Sequence, residues 1–204
     1  MKQLPSKEHC YQLMCDMQML DHIVIHSLQV CRVATFLTDF LNRERLNLDV
    51  KLIRAAALLH DITKTRSFKT KEDHALSGGQ YLSDLGYPEV GNLVRQHVRL
   101  DEYADGKAVR EVEIINYADK RVLHDEIVSL DQRLNYILER YAKKEEHRER
   151  IHILWQKTKK LEKRIFFDLS FAPGELMQLL PARGYTAELQ GYQRVCAQLF
   201  AAKR

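Results

Sequence analysis

Glycine and proline are scarce in this sequence, with 8 and 4 among 204 residues. So few breakers exclude a fold of many short strands joined by tight turns and favour long helices. No window reaches about 18 consecutive apolar residues, so no membrane span is expected. The N-terminal stretch MKQLPSKEHCYQLM lacks a cationic start followed by an unbroken apolar run. No secretory signal is therefore expected, and the expected location is the cytoplasm. The four cysteines (Cys10, Cys15, Cys31, Cys196) have no Cys-x-x-Cys spacing. That argues against a structural zinc site built from them. In a cytoplasmic protein they read as reduced, mostly packed thiols. A GxSxG elbow, a P-loop and a dinucleotide-binding GxGxxG are all missing, which removes the apparatus of three other enzyme classes.

The remaining composition is that of a soluble globular protein, 45% apolar and 29% charged, long enough for one domain with a helical extension. The net charge of +4 is uneven: residues 139–164 hold ten Lys/Arg and five Asp/Glu. Mixed-sign charge on a long helix reads as a solvated face, so nucleic-acid binding by that stretch is not expected.

Helical signals run through the chain. Ser6 caps a first helix to about Leu20, and Asp21 caps a second to about Leu41. Asn47-Leu48-Asp49 opens a third that ends at His60. The polar run Thr63 to Asp73 reads as a loop. His74 to Leu85 forms a fourth helix closed by Gly86, and Pro88 opens a fifth that reaches about His97. A loop over Asp101 to Gly106 precedes a sixth helix, roughly Ala108 to Leu123. Leu130, Leu134, Ile137, Leu138 and Tyr141 mark another amphipathic helix, and Ile151, Leu154, Thr158, Leu161 and Ile165 one more. The junction from Lys143 to Arg150 reads equally as a turn or as continuous helix. Ala172-Pro173-Gly174 is a break before two shorter terminal helices. Trp155 reads as a core residue.

Six of nine histidines lie between residues 22 and 124. The sharpest signal is Ala55-Ala56-Ala57-Leu58-Leu59-His60-Asp61-Ile62-Thr63-Lys64, an apolar helix running into His-Asp with a lysine one turn later. A buried imidazole beside a buried carboxylate is costly unless hydrogen bonds or a metal satisfy both. A divalent ion accepts nitrogen from one and oxygen from the other.

The order His26 … His60-Asp61 … Asp119 resembles the H…HD…D signature of the HD-domain superfamily of metal-dependent phosphohydrolases. The flanks agree: Val30 and Ala34 follow His26 on its helix, Ile62 and Lys64 follow the pair, and Asp119 sits in Ile114-Ile115-Asn116-Tyr117-Ala118-Asp119-Lys120. The resemblance covers about residues 20–125. It implies an all-α HD-domain helical bundle over residues 1–125, with residues 126–204 as a C-terminal helical extension packed on it. It also implies one or two divalent ions (iron, manganese or magnesium), with a dinuclear site favoured because His74 and His97 occur in contexts similar to those of two-metal members. In that reading His26, His60 and Asp119 hold one ion, His74 and His97 the other, and Asp61 bridges.

The subgroup most similar is the bacterial hydrolases that split dinucleoside tetraphosphates symmetrically. The implied substrate is a nucleotide or dinucleotide, cleaved by metal-activated water, with Asp61 as the positioning carboxylate and Lys64 as a cation for phosphate. Arg99 and Lys120 are lesser phosphate candidates, and His22 lies on the face of His26. Gly86-Tyr87-Pro88 spells the tripeptide of the cyclic-di-GMP phosphodiesterases, but it precedes His97 and no His-His pair is present. Deoxynucleoside monophosphates, cyclic nucleotides and (p)ppGpp are alternative substrates. A catalytically silent regulatory module and a diiron oxygenase are alternatives of other classes. The C-terminal helices are candidates for a homodimer interface.

Overall fold

A computed structural model describes residues 3–103, 106, 108–180 and 183–202. Of the loop expected over Asp101 to Gly106, residues 104 and 105 lie outside the described residues. Among the described residues the fold is all-α apart from one small hairpin, as the scarcity of breakers implied.

Helix α1 (Lys7–Asp16) begins where the Ser6 side chain accepts the amide of His9. Helix α2 (Asp21–Arg43) is the central element; by length and composition it could cross a membrane, but most of it is buried in the bundle. Helix α3 (Val50–Leu59) is capped by Asp49, which accepts the amides of Lys51 and Leu52. Its Ala55, Ala56 and Ala57 let it lie close against α2. Helices α5 (His74–Asp84) and α6 (Pro88–Arg95) form a tight antiparallel pair joined at Gly86, whose φ of +87° closes α5. Helix α7 (Glu111–Lys120) packs on α2, α3 and α6 and completes the cradle.

Three expectations are corrected and one open alternative is settled. The polar run after His60-Asp61 is not a loop throughout: Lys64–Thr70 forms a short helix, α4. The sixth helix stops at Lys120, and Val122–Leu123 (β1) pairs with Glu126–Ile127 (β2) around His124, which sits at φ +57°. Two residues per strand are too few for an alternating pattern to register. The junction after Tyr141 is a break, with α8 (Leu130–Tyr141) followed by a separate α9 (Glu145–Ile165). The terminal helices are unequal, α10 (Leu176–Leu179) being one turn and α11 (Arg183–Ala202) twenty residues.

The C-terminal helices join the same core as the first half. Trp155 is buried, and its indole N–H donates to the Leu130 carbonyl at 2.8 Å, so α9 docks on the start of α8. Tyr117 of α7 donates to Glu162 of α9 at 2.5 Å, and the Arg121 guanidinium donates to the same carboxylate at 3.2 Å and to the Pro173 carbonyl at 2.8 Å. Several charges of the basic stretch are paired, among them Lys159 with Asp131 and Arg164 with Glu113. Helix α11 lies on α1 and α2, where Cys15 and Cys196 form a disulfide while Cys10 and Cys31 are free. The reduced-thiol expectation thus fails for two of the four, because partners 181 residues apart leave no spacing signal.

Glycine sets the α5–α6 crossing. A Cβ on Gly79 would sit 2.7 Å from the Gly91 carbonyl and 2.7 Å from Arg95 Cβ, and one on Gly91 would strike the Gly79 carbonyl and the Ser83 hydroxyl. Gly91→Ala should therefore cost about 1–3 kcal/mol in urea unfolding, the usual range for overpacking. A loss within error of zero would contradict the close crossing.

Candidate metal centre

Five elements deliver the predicted site residues to one point. His26 lies in the second turn of α2, and His60 closes α3 with Asp61 next in chain. His74 is the first residue of α5, where Asp73 caps the helix by accepting the amides of Ala75 and Leu76. His97 follows the end of α6, and Asp119 sits near the end of α7.

The side chains converge around Asp61, which is 1% exposed. Its Oδ2 lies 3.5 Å from His60 Nε2, and its Oδ1 lies 3.2 Å from His74 Nε2 and 3.5 Å from His97 Nε2. The two oxygens of one carboxylate thus face two sets of imidazoles. On the Oδ2 side, Asp119 Oδ1 lies 3.0 Å from His26 Nε2 and 3.8 Å from His60 Nε2. On the Oδ1 side, His74 Nε2 and His97 Nε2 are 3.2 Å apart. Lys64 Nζ spans the carboxylate at 3.0 and 3.3 Å, with its side chain partly open to solvent.

The ring nitrogens argue for a cation. His60 Nδ1 donates to the Ala57 carbonyl at 2.8 Å, His97 Nδ1 to the Val94 carbonyl at 2.7 Å, and His26 Nδ1 to the His124 carbonyl at 3.2 Å. A carbonyl only accepts, so each Nδ1 carries a proton, and Nε2 is the ring atom that each histidine turns inward. His60 Nε2 is buried with no hydrogen-bond partner. Converging Nε2 atoms with carboxylates between them suit a divalent ion, and backbone carbonyls holding the opposite ring nitrogens are the usual support of metal-binding histidines. His26, His60 and Asp119 place their ligand atoms within 4.8 Å of one another, as do His60, Asp61 and His97.

Burial alone would raise the Asp61 carboxyl, but the groups around it, the Lys64 ammonium first, outweigh it and hold it well below the usual carboxylate range. Asp119 is likewise held down against burial, chiefly by the His26 hydrogen bond and by Arg133. Burial pushes His60 down to about 3. The set is therefore two carboxylates with a neutral His60, in a ligating state at neutral pH.

Two residues that the sequence did not single out, Thr63 and Asn116, hold this arrangement together with Lys120, which it read as a phosphate candidate. The Thr63 hydroxyl donates to the His74 carbonyl at 2.8 Å, fixing the start of α5 to the turn after Asp61. Asn116 donates to the carbonyls of Gln96 and His97 at 2.9 and 3.0 Å. Lys120 is buried, with Nζ 3.1 Å from the His97 carbonyl and 3.0 Å from Asn116 Oδ1; burial pushes its pKa down to about 8. Lys120 is thus a brace of the His97 turn rather than a phosphate ligand. Arg99 and His22 are exposed and make none of these contacts. A cleft of about 790 Å³ lined by Cys10, Cys31, Arg32 and Arg54 holds none of the centre's residues.

The HD domain family matches residues 23–124, the segment that carries all six ligand candidates. The chain is similar to a tRNA (cytidine(56)-2'-O)-methyltransferase of Picrophilus torridus, 26% identical over 155 residues, which is 72% of this chain and 43% of that protein. It thus spans less than half the length of that relative. Among solved structures, a predicted HD superfamily hydrolase from an uncultured Thermotogales bacterium matches with a TM-score of 0.46 and 21% identity, over 82% of this chain and 95% of that one.

The His60 shift sets a pH dependence. Its folded pKa of about 3 lies below the ordinary 6.5, so the unfolded chain takes up a proton that the folded chain refuses. This contribution to stability is complete above 6.5 and is lost as pH falls toward 3. Thermal melts of metal-free protein from pH 7.5 to 4 should show that decline, with a shallower slope in His60→Gln. Equal slopes would contradict the buried, neutral imidazole.

Proposed function

Because the chain belongs to the HD domain family, we propose that it is a metal-dependent phosphohydrolase cleaving a phosphoester or phosphoanhydride bond of a nucleotide or dinucleotide. The observation that carries this reading is the buried Asp61 carboxylate with its two oxygens turned toward separate histidine sets. His26, His60 and Asp119 would hold one divalent ion, His74 and His97 a second, and Asp61 would serve both. Bound ions of this kind (iron, manganese or magnesium) supply a water of lowered pKa and positive charge for phosphoryl oxygens.

The chain's own groups do the rest. The Nδ1–H bonds to Ala57, Val94 and His124 fix the ring orientations before substrate arrives. Lys64, the partly exposed cation of the cluster, can meet a phosphate oxygen as a point charge without leaving Asp61. Burial of the ligands excludes water from the reacting atoms and strengthens each charge interaction. Within this class the presence of both His74 and His97 supports symmetrical cleavage of dinucleoside tetraphosphates as the specific reaction. The exposed Ile153, Phe167 and Met177 support a homodimer through the C-terminal helices.

The test is turnover by purified protein with Fe²⁺, Mn²⁺ or Mg²⁺ against diadenosine tetraphosphate, dAMP, cyclic AMP, cyclic-di-GMP and ppGpp. Asp61→Ala should lose more than about 100-fold, beyond the 10–100-fold expected of a group that only orients a ligand. ADP as the sole product of diadenosine tetraphosphate is the expected specific outcome. Metal-loaded protein that hydrolyses nothing would overturn the reading, and oxygen consumption in its place would assign the centre to oxygenase chemistry.

A further inference from the structure

Helix α8 lies beyond the residues matched by the HD domain family, yet one of its faces packs against His124, which supports the candidate ligand His26. Arg133, Tyr136, Ile137, Arg140 and Tyr141 recur at the three- and four-residue intervals of a single helical side. Tyr136 packs edge-on against His124, with ring centroids 5.5 Å apart, and the carbonyl of His124 is the one that receives His26 Nδ1–H. The Arg133 guanidinium lies over the Tyr136 ring at 5.7 Å, and its charge is among those that act on Asp119. At the outer end, Arg140 covers Tyr136 at 6.0 Å and Tyr141 at 5.9 Å, and Tyr141 acts electrostatically on Lys64.

One donor of Arg133 is not satisfied by the fold. Its Nε is buried and makes no hydrogen bond. Arg121, by contrast, is spent on bracing, donating to the carbonyls of Val128 and Pro173. A buried guanidinium N–H without an acceptor is costly, and an anionic ligand beside it removes that cost.

We propose that this face of α8 recognises the substrate, with Arg133 donating to a phosphate and the Tyr136 ring, backed by His124, stacking on the nucleobase. The exposed Arg140 is the displaceable cover of that ring. The ligand class is a nucleoside phosphate, in which anion and aromatic base are held together. The inference rests on the phosphohydrolase reading for its chemistry, but it adds that the extension, not the matched segment, selects what enters.

Calorimetry on the metal-loaded full chain, with AMP and inorganic phosphate as probes, tests it without requiring turnover. Arg133→Gln should weaken both ligands by about tenfold or more, and Arg133→Lys should recover part of the loss. Tyr136→Leu should weaken AMP by about tenfold and leave phosphate unchanged, with Tyr136→Phe restoring AMP. Metal content should equal wild type in all four. Wild-type affinities in Arg133→Gln and Tyr136→Leu would overturn the proposal. So would loss of metal from Arg133→Gln, which makes it a brace of Asp119, or a wild type that binds neither probe. If the binding pattern holds but no phosphoester is hydrolysed, the recognition surface stands and the phosphohydrolase reading falls.

Discussion

A carboxylate buried to 1% exposure, with histidines on both sides of it, is the constraint on which this molecule is organised. Taking Asp61 out of water costs several kcal/mol even after relaxation. Lys64, one turn further on, offsets part of that cost but reaches the carboxylate from the solvent side. Inward, Asp61 faces His60 and His97, whose outer nitrogens are already committed to backbone carbonyls. The packing around it follows. Small residues in α3 bring α2 near, the Gly79–Gly91 crossing brings His74 to His97, and Asn116 with Lys120 holds the His97 turn from α7. A bundle built for packing alone would have no need of buried Thr63, Asn116 and Lys120, each spent on the backbone of a ligand-bearing segment.

The centre was legible in the sequence because its parts are local. An apolar helix running into His60-Asp61 reports burial and ligation together, and Asp73 before His74 and Gly86-Tyr87-Pro88 before α6 mark helix ends in their own chemistry. What escaped was long-range or too short to repeat. The α4 turn is polar and lacks a periodic stripe, the hairpin has two residues per strand, and the Cys15–Cys196 pair joins opposite ends of the chain. Lys120 misled for a physical reason: a lysine beside a predicted ligand suggests phosphate, yet its stem follows α7 inward and its ammonium closes on carbonyls. No local signal separates that case from Lys64, whose side chain faces the opening.

The chain divides its work by segment. Residues 23–124, where the family resemblance lies, carry every ligand candidate. Residues after Ser129 brace that segment: α9 ties α7 through Glu162, and α8 sets Tyr136 beside His124 with Arg133 over the Tyr136 ring. On the proposed reading, such an arrangement would let one metal-holding bundle serve different substrates by changing the helices laid against it.

The central claim is that Asp61 lies between two adjoining ion sites. Its most direct measurement is the number of Mn²⁺ ions bound per chain, read by titration calorimetry and elemental analysis on wild type, His26→Ala and His97→Ala. Two ions in the wild type and one in each variant is the predicted result. A single ion in the wild type, retained unchanged in His97→Ala, would contradict it.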